Sequence, residues 1–195
     1  MRRLGVVCFL SALASVGAAQ ASIISLSALL SGAAEFPPNL SPGTGTADVV
    51  YDSVAHTLQV DVSFSGLVAG VTASHIHCCV SPEAAVPTAG VATTTPTFTG
   101  FPSGVTAGTY SHLFDLTLAS SFNPSFVTAN GGTPAGAEAM LANGLENGLT
   151  YLNIHTSVYP GGEIRGFLVT PEPGAMGLLG SGLALLVLLR RKWRA

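Results

Sequence analysis

Six of the seven lysine and arginine side chains stand at the two ends of the 195-residue chain, each group beside an uncharged apolar run: Arg2 and Arg3 before one, and Arg190, Arg191, Lys192 and Arg194 after another. Whatever folds between these ends must therefore be built with Arg165 as its one permanent cation. Residues 22–170 set nine carboxylates against it, a formal net charge of −8 that the whole-chain value of −3 conceals. Phosphate backbones repel an acidic body with a single Arg, which excludes nucleic acid as a partner.

The first end has the three parts of a secretory leader: charged residues, an apolar stretch from Leu4 to about Val16, and the small-residue site Ala19-Gln20-Ala21. Cleavage is expected after Ala21, so that residues 1–21 leave as a signal peptide and take Cys8 with them. The second end reads Pro171-Glu172-Pro173, then a span at about 175–189, then the basic tail. As a helix that span rises about 24 Å at ~1.5 Å per residue, less than a hydrocarbon core of ~30 Å, so it holds the chain in the membrane shallowly. Cationic residues stay on the cytoplasmic side, which leaves residues 22–170 outside.

Pro171-Glu172-Pro173, a short span and a basic tail together resemble the PEP-CTERM sorting signal of Gram-negative bacteria. That resemblance implies exosortase as a partner, cleavage near the motif, transient anchoring in the inner membrane, and delivery to the cell surface or the extracellular space. Such proteins often accompany exopolysaccharide. The alternative is a plain single-pass anchor with a stiff proline linker.

About 150 residues suffice for one domain with a real core. Short alternating segments separated by Gly, Pro and Asn point to an all-β sandwich or barrel, with strands expected at 23–30, 45–51, 57–64, 74–79, 110–118, 150–155 and 163–169. Leu58, Val60, Val62 and Phe64 form one face against Gln59, Asp61 and Ser63. His112, Phe114, Leu116 and Leu118 repeat the pattern, which Leu113 blurs. One helix is expected near 134–143, capped by Thr133, started by Pro134 and stopped by Asn143-Gly144, with Ala137, Met140 and Leu141 on its packed face. Residues 81–108, rich in Pro, Thr and Gly, form a long connection that is either functional or poorly ordered.

Coordinating side chains are densest at Ser74-His75-Ile76-His77-Cys78-Cys79. On a strand, alternate residues share a face, which groups His75, His77 and Cys79. His155 alternates in the same way within Tyr151-Leu152-Asn153-Ile154-His155. Two or three imidazoles, with a thiolate from Cys79, suit copper or zinc by ligand type. The duller reading is a hydrogen-bonded structural pair. Cys78 and Cys79, the cysteines left after leader removal, have three open fates outside the cytoplasm: a vicinal disulfide, metal ligation, or a cross-link to another chain. Arg165 either locks the barrel by pairing with Glu163 or Asp61, or draws an anion. His56 reads as a solvated turn residue. No paired carboxylates, Gly-x-Ser-x-Gly elbow or phosphate loop is present.

Phe36-Pro37-Pro38-Asn39, Gly43-Thr44-Gly45-Thr46-Ala47, Phe64-Ser65-Gly66-Leu67, Ser74-His75-Ile76-His77, and Asn153-Ile154-His155-Thr156 leading to Pro160-Gly161-Gly162-Glu163-Ile164-Arg165-Gly166 together resemble the CHRD domain across nearly all of 23–169. The resemblance implies a Greek-key, immunoglobulin-like β-barrel similar to Cu/Zn superoxide dismutase. In that comparison His75 and His77 resemble the copper-binding His-x-His, His155 a later copper-binding His, and Arg165 the active-site Arg. The chain departs from the comparison in two ways: no His and Asp cluster follows His77 to hold zinc, and Cys78-Cys79 replace ordinary strand residues. The resulting expectation is a non-enzymatic surface or matrix module, with a copper- or zinc-binding, dismutase-like metalloprotein as the alternative.

Overall fold

The structure, a computed structural model, describes residues 23–171. The expected leader, Glu172 and Pro173 of the sorting motif, and the apolar span lie outside the described residues. Among those described, no helix is long and apolar enough to cross a membrane.

Seven antiparallel strands make one curled sheet: β1 (Ile23–Ser31), β2 (Thr44–Asp52), β3 (Thr57–Ser65), β4 (Val71–Cys78), β5 (Gly108–Asp115), β6 (Thr150–Thr156) and β7 (Ile164–Phe167), in the order β4-β6-β7-β1-β2-β3-β5. The chain is all-β, as its alternation implied. Period-two patterning decides which face is core. Leu26, Ala28 and Leu30 of β1, Ala47, Val49 and Tyr51 of β2, and Leu58, Val60, Val62 and Phe64 of β3 are all buried on the inner side. Ile76, Leu152, Ile154 and Ile164 continue that side across β4, β6 and β7 with no exposed surface. Phe98, Phe122 and the helix α2 (Pro134–Glu146) fill the concavity. Gly166 is required where β7 meets β1, because a Cβ there would come within 2.3 Å of the Leu29 carbonyl oxygen.

Three sequence expectations need correction. Helix α2 runs past Asn143-Gly144 to Glu146 and stops at Asn147, followed by Gly148 with φ +65°. Gly144 serves packing instead, since a Cβ there would lie 2.5 Å and 2.7 Å from the two cysteine sulfurs. Met140 is 41 % exposed, and the packed face of the helix is Ala137, Leu141 and Leu145. Leu118 is exposed because β5 ends at Asp115 and Tyr110 takes the fourth inward place. A further short helix, α1 (Pro124–Ala129), begins like α2: Asn123 caps it by accepting from the Ser125 N–H, and Pro124 opens its first turn.

Residues 81–107 form a strap along the free edge of β4. Proline cannot donate to a ladder, so the strap bonds irregularly. Cys78 N–H donates to Gly90 O, and Ala92 and Phe98 donate back to Ile76 O and Ser74 O. The hydroxyls of Thr97 and Thr93 accept from the Ser74 and Ile76 amides at 2.9 Å and 3.0 Å. The strap satisfies an edge that would otherwise be open to another chain.

Candidate metal site

Because directly paired antiparallel residues share a face, register alone assembles the outer side of β4, β6 and β7. His75 pairs with Asn153, His77 with Tyr151 and Ala73 with His155, while Asn153 and Tyr151 pair onward with Arg165 and Phe167. The inward neighbours of these residues are the fully buried aliphatics, so their polar side chains are displayed together on the opposite face. The strap, the turn at 158–162 and residues 34–35 then cover them. His75 and His77 are 6 % and 8 % exposed, and His155 is half-buried.

Each imidazole directs one ring nitrogen at an oxygen that can only accept. His75 Nε2 lies 2.6 Å from Pro96 O, His77 Nδ1 2.8 Å from Ala89 O, and His155 Nδ1 2.9 Å from Pro160 O. Each of those nitrogens must therefore carry the proton. Burial holds all three rings below the ordinary imidazole pKa, His77 at about 4, so they are neutral at pH 7. A neutral ring has one proton, which leaves His75 Nδ1, His77 Nε2 and His155 Nε2 as lone pairs.

Two of these lone pairs, on His75 Nδ1 and His155 Nε2, are buried without any hydrogen-bond partner. The third, on His77 Nε2, faces Asn153 Oδ1 at 3.1 Å. Turning the Asn153 amide over makes its NH2 the donor to this lone pair, so an ion bound at His77 Nε2 would displace that one hydrogen bond. The three imidazoles each offer one ligand atom, all within 4.8 Å of one another. An ion ~2.0–2.1 Å from each nitrogen would draw them somewhat closer. Backbone carbonyls that fix tautomer and ring orientation are what a histidine ligand needs behind it.

A stack of rings supports the cluster. His77 lies flat on Tyr151, 4.7 Å between centroids at 5°, and the Arg165 guanidinium sits 4.7 Å from the Tyr151 ring centre. Arg165 is 3 % exposed and donates to Ala34 O at 2.6 Å and Pro87 O at 2.9 Å. Its carboxylate is Glu35, at 3.7 Å, and not the expected Glu163 or Asp61. Burial raises Glu35 to about 7 even beside that cation, and its Oε1 has no partner. Asp61 accepts from Gln59 instead. Glu163, fully buried, accepts from Ser41 Oγ at 2.6 Å, Val68 N–H at 2.7 Å and Thr156 Oγ at 2.6 Å, tying three segments together.

The cysteines lie elsewhere. β4 ends at Cys78, and Cys78 Sγ and Cys79 Sγ are joined to each other against α2, 3.8 Å and 3.7 Å from Met140 O. The structure therefore brings His75, His77 and His155 together and leaves Cys79 out. His56, with φ +54°, is the turn residue expected, but it also meets Glu138 of α2 at 2.9 Å. The strap carbonyls, Asn153, Tyr151 and Glu35 were not foreseen. The pairing of His155 with the His75 and His77 strand was the signal that could have found Asn153 and Tyr151, which alternate with it.

The family model described as CHRD domain matches residues 26–168, and that of the PEP-CTERM protein-sorting motif matches residues 169–192. No curated protein and no solved structure matches the chain.

Proposed function

The chain belongs to the CHRD domain family, and we propose that it is a non-enzymatic module of the cell surface or extracellular matrix that binds a transition metal, copper or zinc, through His75, His77 and His155. Its PEP-CTERM motif marks it as an exported protein sorted by exosortase. The observation that carries the metal reading is the pair of buried, partnerless lone pairs on His75 Nδ1 and His155 Nε2. A buried polar atom without a partner costs about 1–3 kcal/mol, and two aimed into one space have a common explanation in a shared ion.

The leader and the span would make residues 22–170 the exported domain and 171–195 the sorting segment, held transiently in the inner membrane. The net charge of −8 suits a hydrated exopolysaccharide surround, and no side chain is singled out for a sugar. The test is elemental analysis of the full-length chain purified without chelator, beside a His75→Ala, His155→Ala variant. Stoichiometric copper or zinc lost in the variant supports the reading. A metal-free protein that stays so after titration with both ions overturns it.

A further inference from the structure

The ligand set is neutral, and two of its three lone pairs have no exposed surface. Each ring has committed its one proton to a carbonyl, and no carboxylate or thiolate joins the three imidazoles as a candidate ligand among the described residues. The lone pairs on His75 and His155 are shut off from solvent. The charged pair connected to the cluster through Tyr151, Arg165 with Glu35, adds no net negative charge.

Both features bear on the ion. Zinc is almost always four-coordinate and completes three protein donors with water or substrate, and copper(II) prefers four donors in a tetragonal array. Here the lone pairs of His75 and His155 have no solvent-exposed surface, so a water reaching an ion between them as a fourth donor would require the cover to open. Charge points the same way. The self-energy of a buried ion grows as the square of its charge, so a monocation held by neutral nitrogens costs about a quarter of what a dication costs.

Resting on the metal-binding reading above, we infer that this site selects a monovalent soft ion, copper(I), in three-coordinate imidazole ligation, over zinc(II) and copper(II). Asn153 is the residue that keeps it so, because its amide occupies the place beside His77 Nε2 where a carboxylate would supply the missing negative charge.

The experiment is a competition titration of the full-length, metal-stripped chain in detergent micelles. Copper(I), maintained by ascorbate, is read with a chromophoric copper(I) chelator, and zinc(II) with a zinc-sensitive dye. The Cys78→Ser, Cys79→Ser variant is titrated in parallel to keep thiols out of the competition. One copper(I) per chain is expected, at least about a hundredfold tighter than zinc(II), in both proteins. Asn153→Asp should narrow that preference at least about tenfold. Zinc bound as tightly as copper(I), and lost with His75→Ala, would overturn the selectivity while leaving a metal site. Copper(I) binding that vanishes with the cysteines, or a preference unmoved by Asn153→Asp, would also overturn the inference. No binding of either ion would remove the metal reading itself.

Discussion

The imidazole of His77 and the phenol ring of Tyr151 are stacked 4.7 Å apart and within 5° of parallel. Since β6 lies between β4 and β7, Tyr151 separates the neutral ring of His77 from the cation of Arg165, which it also holds by its π-face. Its hydroxyl meets the same residue that orients His77, accepting from Ala89 N–H at 3.2 Å. One side chain thus sets ring, cation and strap.

Tyr151→Phe keeps the stack and loses the hydroxyl, and should cost about 1 kcal/mol. Tyr151→Ala removes the ring and should cost about 3–5 kcal/mol. Urea denaturation of both variants checks the difference. Equal losses would mean the stack contributes nothing.

Glu163→Gln should destabilise the fold by about 2–3 kcal/mol. The amide NH2 takes the place either of the oxygen that accepts from Ser41 Oγ and Val68 N–H or of the one that accepts from Thr156 Oγ, and the charge-assisted bonds on that side are lost. Denaturant midpoints decide it, and a change under about 0.5 kcal/mol, typical of a surface substitution, would contradict the tie.

Acid should unfold the protein through its histidines. Burial depresses His77 to about 4 from an ordinary 6.5, so the unfolded state takes up the proton first. Stability is then lost as pH falls from 6.5 through 4, by about 3 kcal/mol for this residue. His75 and His155 act in the same direction. Glu35 opposes them: burial raises it from 4.5 to about 7, so its contribution is present below 4.5 and lost as pH rises through 7. Glu35→Gln deletes the opposing contribution, and its stability should fall more steeply than the wild type's between pH 6.5 and 4.5. Parallel curves would contradict the assignment.

These contributions show what the sequence could and could not disclose. Strand faces were legible because an alternation such as Leu58 to Phe64 admits one period, and the same period put His75 and His77 on one side and His155 in step with them. The partners of those rings were not, because Ala89, Pro96 and Pro160 act through backbone carbonyls that carry no side-chain signature. Arg165 was recognisable as structural or anion-binding, but its partner Glu35 lies 130 residues away in a proline-rich turn that no periodicity connects to β7. Asn143-Gly144 looked like a helix stop because sequence does not reveal that two sulfurs need the space above Gly144.

Cys78 and Cys79 should resist alkylation without reductant and gain two labels after reduction and unfolding, as a vicinal disulfide in an exported protein would. Intact mass spectrometry reads the count. Free thiols labelled in the native, unreduced protein would refute the pairing.

Pro171→Ala, Pro173→Ala should leave full-length protein in the membrane fraction of cells that contain exosortase, because the PEP-CTERM motif is what that enzyme reads. An immunoblot showing the same shortened product as the wild type would contradict it.

The central claim concerns three nitrogen lone pairs, and nitrogen-15 spectroscopy of the imidazoles observes them directly. In the metal-free chain near pH 7, His75 should carry its proton on Nε2, and His77 and His155 on Nδ1. Adding diamagnetic copper(I) should shift His75 Nδ1, His77 Nε2 and His155 Nε2 together at one equivalent. Opposite tautomers, or three unprotonated nitrogens that do not respond to the ion, would contradict the account.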